Sequence, residues 1–197
     1  VYTPNPIAAA WPLKKGLVML DVAMSTTTIG LSQRLSSQKK RLPGKWVMSA
    51  DGRITDDPTV IFEEPSGSIL PLGGPALGHK GFALGLLVEA LTSGLCGFGR
   101  KDSPGRWGAN VFLMIIDPDA FGGREAFTEE SSWIAEACLK AAPLHKNNPV
   151  RLPGQSALSK KRHSLKHGVD LEPTIMPALD KWSSTFGEPV PTPIAEP

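Results

Sequence analysis

Apolar residues in this chain fall into short unbroken runs and helically spaced runs, separated by Gly and Pro. Leu17-Val18-Met19-Leu20-Asp21-Val22-Ala23 follows Gly16 and reads as a buried strand ending in the polar cluster Ser25-Thr26-Thr27-Thr28. Val111-Phe112-Leu113-Met114-Ile115-Ile116, closed by Asp117-Pro118-Asp119, reads as a central strand. The spacing predicts helices over 29–38, 81–94, 127–142, 156–167 and 173–186. The helix at 81–94 is the clearest. Phe82, Leu84, Leu86, Leu87, Val88, Leu91 and Leu95 cover most of its circumference and only Glu89 is charged, so it reads as buried on nearly all sides. Prolines at 4, 6 and 12 make the first dozen residues extended. Asp51-Gly52 predicts a tight turn, and Thr55-Asp56-Asp57-Pro58 a turn or helix cap. Val150–Gly154 reads as a short strand or loop, and the stretch from Pro189 as a frayed tail. Strands alternate with helices, so the fold class is α/β or mixed α+β.

Composition narrows the class. The 197 residues are 41% hydrophobic and 20% charged, with net charge +2, as in a soluble globular chain with no call for a nucleic-acid or membrane partner. Cys96 and Cys138 lack Cys-x-x-Cys spacing, which argues against a zinc site and for a reducing compartment. No signal-type segment opens the chain, and no apolar run is long enough to span a bilayer, so a cytoplasmic location is expected. The chain begins with Val1 and not Met, which raises the prospect of lost upstream sequence.

The chemistry-bearing stretch is Leu70-Pro71-Leu72-Gly73-Gly74-Pro75-Ala76-Leu77-Gly78-His79-Lys80-Gly81 ahead of the apolar helix. Glycines bare the backbone, a lysine sits at the mouth, and a helix N-terminus follows. That combination suits an anionic ligand such as a dinucleotide pyrophosphate. It is neither a Walker A loop nor a G-x-G-x-x-G turn. A glycine-rich turn before a core helix is the plain alternative.

The segments then form a series. Thr3-Pro4-Asn5-Pro6-Ile7-Ala8 resembles "G-T-N-P-I-A", and Leu20-Asp21-Val22-Ala23-Met24-Ser25 resembles "L-D-M-A-x-S". Leu42-Pro43-Gly44-Lys45-Trp46 and Asp51–Pro58 resemble "L-P-x-G-W … D-x-G-x-x-T-x-D-P". Leu70–Gly74 with Lys80–Leu84 resembles "L-P-x-G-G … K-G-Y-G-L", and Asn110, Asp117–Phe121 and Val150–Gln155 complete the series. In this order they resemble the malate/L-lactate dehydrogenase family over about residues 1–188, a family that also includes ureidoglycolate, sulfolactate and diketogulonate-type enzymes.

The resemblance implies a nucleotide-binding fold without a Rossmann unit, NAD or NADP as cofactor, and hydride exchange with a 2-hydroxy or 2-keto acid or related imine. It implies a homodimer, a nucleotide-binding region over 1–145, a helical segment over 146–188 that packs on a preceding domain, and a disordered tail over 189–197. The cofactor-site residues it implies are Asp21, Val22, Ala23, Met24, Ser25 and Thr26 at the strand end, His79 and Lys80 in the glycine-rich stretch, and Pro153, Gly154 and Gln155. Lysine binds phosphate as a point charge. Asp21 could instead cap a turn, His79 could be a solvated loop histidine, and Pro153–Gln155 could be an ordinary turn. The basic run Lys160, Lys161, Arg162, His163, Lys166 and His167 reads as a solvated face, or as a contact for the 2′-phosphate of NADP.

Hydride transfer from a hydroxyl-bearing carbon needs a proton acceptor and an arginine clamp for the carboxylate. The family's catalytic histidine and arginine belong to an N-terminal part that would precede Val1. None of His79, His145, His163 and His167 falls in a matching segment, so no catalytic residue is assigned. The chain therefore reads as the later part of a longer enzyme. The competing reading is a non-catalytic fragment or paralogue that serves as an interaction or assembly module. A Ser25–Lys80 hydrolase is disfavoured, because the chain has no G-x-S-x-G elbow and no S-x-x-K pair.

Overall fold

A computed structural model describes residues 5–102, 105, 108–172 and 175–192. They form two units, one up to Ser132 and one from Trp133 onward. The first unit opens with an antiparallel ribbon of β1 (Ile7–Pro12) and β2 (Leu17–Val22), in register from Ile7 opposite Val22 to Pro12 opposite Leu17. Its turn closes through Leu13 N–H to the Gly16 carbonyl at 3.0 Å. Lys14 ties the turn to a later helix: its N–H donates to Ser132 Oγ at 2.8 Å, and its ammonium pairs with Glu129 at 3.0 Å.

Helix α1 (Ile29–Ser37) starts where the polar cluster ends, because Thr28 caps it by accepting from Leu31 N–H. A three-stranded antiparallel sheet follows, ordered β4 (Ile54–Thr55), β3 (Val47–Met48), β5 (Ser68–Ile69). The predicted Asp51-Gly52 turn joins β3 to β4, with Gly52 at φ +87°. The Asp57 carboxylate caps a 3-10 turn over Pro58–Phe62 by accepting from Thr59 N–H at 3.0 Å, and Arg41 pairs with it at 2.8 Å. Leu42, Val47 and Val60 are buried together beneath Leu35, Trp46, Ile61 and Ile69. This small core anchors the middle of the first unit.

Three expectations change. The strand Leu17–Val22 forms but is not buried as a whole: only Val18 is buried, and Asp21 and Val22 are exposed. A two-stranded ribbon covers a strand along one edge and leaves faces that a larger sheet would bury. The predicted helix at 81–94 begins earlier, as α2 (Gly74–Glu89), and ends in a π turn over Ala90–Gly94. Most of the glycine-rich stretch is thus helix. Gly81 and Gly85 are buried in it, while Phe82, Leu84, Leu86 and Leu87 are exposed. The face against the unit is made by glycines, which let the helix approach closely, so the bulky residues face outward. Third, 111–116 is paired with no strand among the described residues, and all of its side chains are exposed.

Asp117 caps a 3-10 turn over Pro118–Ala120, and Asp119 accepts from Arg124 N–H at 2.8 Å. That contact starts α3 (Arg124–Lys140) three residues before the predicted start, and the boundary between the units falls within this helix. In the second unit, 150–154 is loop. The basic helix is α4 (Gln155–His167), closed by Gly168, and the last is α5 (Ile175–Phe186), where Trp182 and Phe186 stack with centroids 5.8 Å apart. Pro173 and residues 193–197 lie outside the described residues, as do Thr3, Pro4, Arg106 and Trp107. No helix among the described residues is long and apolar enough to cross a membrane.

The Leu42, Val47 and Val60 cluster gives a direct test. Leu42→Ala removes a side chain only 3% exposed, and should lower unfolding free energy in urea titrations by about 2–5 kcal/mol.

Candidate cofactor site

The end of β2 and the start of α2 are joined through their main chains. Leaving β2, the chain passes Ala23 and reaches Met24, which is 3% exposed. Leu72 N–H donates to the Met24 carbonyl at 3.1 Å, Ser25 bridges Pro71 in antiparallel fashion, and Thr26 N–H donates to the Leu70 carbonyl at 2.9 Å. Leu70 N–H in turn donates to the Trp46 carbonyl at 3.0 Å. The Thr26 hydroxyl lies 2.8 Å from the Trp46 carbonyl and 3.0 Å from that of Leu70. The Ser25 hydroxyl donates to the Thr27 carbonyl at 2.8 Å. The hydroxyls of Ser25 and Thr26 therefore donate to the protein, and each keeps only its accepting lone pairs for other partners.

Beyond Leu72 the backbone turns through Gly73, whose φ of +98° lies in the left-handed region that favours glycine. Leu77 departs from helical geometry (φ −126°, ψ 16°), which kinks the first turns of α2. After the kink, Gly81 N–H donates to the Leu72 carbonyl at 3.1 Å. A Cβ at Gly81 would stand 2.5 Å from both Leu72 N and O, so only glycine lets the helix rest on that strand-like segment. His79 and Lys80 lie between the kink and this contact. Both are exposed, and Lys80 forms no ion pair among the described residues. The structure thus brings Met24–Thr26 to the segment from which α2 departs, and places His79 and Lys80 on the helix and not in a loop at a mouth.

Pro153, Gly154 and Gln155 belong to the second unit. Gly154 (φ +83°) is the N-cap of α4. The Gln155 side-chain oxygen accepts from Leu152 N–H at 3.1 Å, and Arg151 donates to Ser156 Oγ at 3.0 Å. Gln155 therefore closes its own helix start and keeps its amide NH2 for other partners. On α4, Lys160, Lys161, Arg162, His163, Lys166 and His167 are all exposed, with the His163 and His167 rings 4.6 Å apart. Ser159, Lys160, His163, Ser164, Val169 and Asp170 line an open depression at its carboxyl end.

A polar hub at the far end of α2 went unread in the sequence. One Glu89 oxygen accepts from Asn5 Nδ2 at 2.9 Å and from Arg100 Nε and Nη2 at 3.0 and 2.7 Å. Asn5 also donates to the Gly85 carbonyl at 3.1 Å. Asn110 donates to Ser93 Oγ at 3.3 Å and to the Phe98 carbonyl at 2.7 Å. The signal was there: Glu89 is the lone charge on an apolar helix, and Asn5 and Asn110 stand in the recognised segments. The Arg100 hydrogen bond, aided by Asn5 and set against partial burial, holds the Glu89 carboxyl below the ordinary carboxylate range.

Two outcomes follow. Gly81→Ala should cost about 1–3 kcal/mol in denaturant titrations, because the added methyl meets main-chain atoms that cannot rotate away. A depressed carboxylate contributes stability that is complete above its unfolded value and lost as pH falls through its folded value. Stability attributable to Glu89 should thus be intact above about 4.5 and decline below it, and urea midpoints of Glu89→Gln against pH should show a shallower acid limb than the parent chain.

The profile of the malate/L-lactate dehydrogenase family matches residues 1–180. An L-lactate dehydrogenase of Cupriavidus necator is 27% identical over 96% of this chain and 55% of its own length. A malate dehydrogenase of Pyrococcus horikoshii is 29% identical over 93% of this chain and 52% of its own. The crystal structure of malate dehydrogenase from Entamoeba histolytica superposes with a TM-score of 0.84 at 21% identity, over 95% of this chain and 56% of that one, which shows the shared fold. The Pyrococcus horikoshii structure gives 0.75 at 26% identity, over 92% and 51%. The chain spans about half the length of the curated relatives it matches. With the family's mixed helix-and-strand fold and a profile match along nearly its whole length, this chain belongs to the malate/L-lactate dehydrogenase family.

Proposed function

We propose that this chain forms the nucleotide-binding portion of an NAD- or NADP-dependent oxidoreductase acting on a 2-hydroxy or 2-keto acid. The observation that carries the reading is the main-chain junction of Met24–Thr26 with Leu70–Leu72, immediately before the helix that bears the exposed Lys80. The relatives are named for lactate, malate, hydroxycarboxylate and pyrroline-2-carboxylate chemistry. Each of those substrates carries a carboxylate beside a carbon that exchanges hydride.

The residues present fit a nicotinamide dinucleotide by the chemistry of their donors. The Lys80 ammonium offers three N–H donors and a full charge to phosphate. Asp21 and Val22 are exposed at the ribbon's end, where Asp21 can accept from ribose hydroxyls. Ala23–Thr26 supply main chain, and Ser25 and Thr26 supply accepting lone pairs. His79 adds an imidazole one residue from Lys80. In the second unit, taken by itself, the Gln155 amide NH2 can donate to a hydroxyl, with Pro153 and Gly154 shaping its turn. The exposed cations of α4, also taken by themselves, offer charge to a phosphate such as the 2′-phosphate of NADP. When bound, the nicotinamide supplies the hydride acceptor or donor. We assign proton transfer and carboxylate clamping to the part of the family fold that this chain does not match, and homodimer formation to the assembled enzyme.

Titration of the 197-residue chain with NADH and NADPH, followed by nicotinamide fluorescence, tests this reading. Saturable binding is expected. Lys80→Ala should weaken it about tenfold or more, as expected for loss of a charge-assisted hydrogen bond. No saturable binding of either nucleotide, or unchanged affinity in the variant, would overturn the proposal.

A further inference from the structure

Helix α4 carries two histidines four residues apart, His163 and His167, whose ring centroids are 4.6 Å apart with the planes inclined at 31°. At about 3.6 residues per turn, that spacing sets both side chains on one face of the helix, a single turn apart. Both are exposed, and neither ring makes a hydrogen bond or ion pair among the described residues. Each neutral imidazole therefore keeps a nitrogen lone pair that no protein group occupies. His163 also lines the depression at the carboxyl end of the helix, opposite Val169 and Asp170.

We propose that His163 and His167 form a chelate for a divalent first-row transition cation. Imidazole nitrogen suits Zn2+, Ni2+ and Cu2+, whereas Mg2+ and Ca2+ take oxygen. A cation about 2.0–2.1 Å from each of two nitrogens holds those nitrogens roughly 3 Å apart. Exposed rings already in contact reach that separation by turning about χ1 and χ2. Once one imidazole is bound, the helix presents the second at a high effective concentration, so the pair holds the cation more tightly than either ring alone. No set of three His, Cys, Asp or Glu side chains converges on a metal among the described residues, so the chelate has two protein ligands and water completes the shell. The neighbouring charges select among cations. Lys160 and Lys166 stand three residues to either side of His163, and Arg162 stands next to it, while Asp170 offers the opposite charge in the depression. Repulsion from the three cations favours the metal with the strongest bond to imidazole, so Cu2+ should bind ahead of Ni2+ and Zn2+. A bound cation ties two successive turns together just before Gly168 ends the helix, which holds that end against fraying.

The test titrates the 197-residue chain with Cu2+, Ni2+, Zn2+ and Mg2+ by isothermal calorimetry. The exposed thiols of Cys96 and Cys138 are first blocked with iodoacetamide so that they do not compete. Binding of Cu2+, Ni2+ and Zn2+ is expected, with no heat from Mg2+. His163→Gln and His167→Gln should each weaken Ni2+ binding about tenfold or more, because either change removes the chelate. His145→Gln should leave it as in the parent chain. Substoichiometric Cu2+ should broaden the amide resonances of residues 160–170 ahead of all others. Three results would each overturn the proposal: no binding of any of the three transition cations, undiminished Ni2+ affinity in either single α4 variant, or broadening centred outside α4. None of these readouts involves a nucleotide, so this proposal and the cofactor reading can fail separately.

Discussion

The first unit depends on a contact between main chains: Leu72 gives its N–H to Met24 and takes one from Gly81. One residue thus joins the exit of the opening ribbon to the helix that carries Lys80. Main-chain hydrogen bonds of this kind fix relative position independently of side-chain rotamers, which suits a region expected to meet a ligand through its backbone. They also explain a residue choice that helix propensity opposes. Glycine inside a helix is unfavourable, yet Gly81 stands there because any Cβ would strike Leu72.

The same contact sets what α2 can bury. Its close side is glycine, so its large side chains face away from the unit. Together with Val111–Ile116 they give this chain an apolar surface larger than the few scattered residues normal for a soluble surface. The small core around Val47 is well closed by comparison, with Val47 itself fully buried. Local order in the first unit therefore rests on that core and on capped turns, while its largest hydrophobic side chains are exposed.

Glu89 adds a second organising point on the same helix. Its carboxylate gathers Asn5 from the start of the chain and Arg100 from the loop after the π turn, and the neighbouring Ser93 receives Asn110. Charged hydrogen bonds at a half-buried site are stronger than exposed ion pairs, which contribute little. The hub lies next to the π turn at Ala90–Gly94, where the helix widens and Thr92 returns its hydroxyl to the Val88 carbonyl. Helix α2 thus joins its surroundings at two places, through bare backbone at one end and through a carboxylate at the other.

Local chemistry was legible in the sequence wherever one residue type has one use. Asp51-Gly52 turning a hairpin, Asp57-Pro58 starting a 3-10 turn and Gly168 ending α4 all follow from short-range hydrogen bonding and φ preference. The ordered motifs likewise carried the family, because they record residue choices that many positions must satisfy together. What the sequence could not decide was which apolar surfaces meet. Periodicity measures how apolar an element is, not what lies opposite it, so Leu17–Val22, α2 and Val111–Ile116 all read as buried. Only the tertiary structure showed that glycines take the inner side of α2, that Ser25 and Thr26 direct their hydroxyls to the main chain, and that Glu89 collects residues far apart in sequence. Burial and long-range hydrogen bonds are properties of pairs of segments, and no single segment encodes its partner.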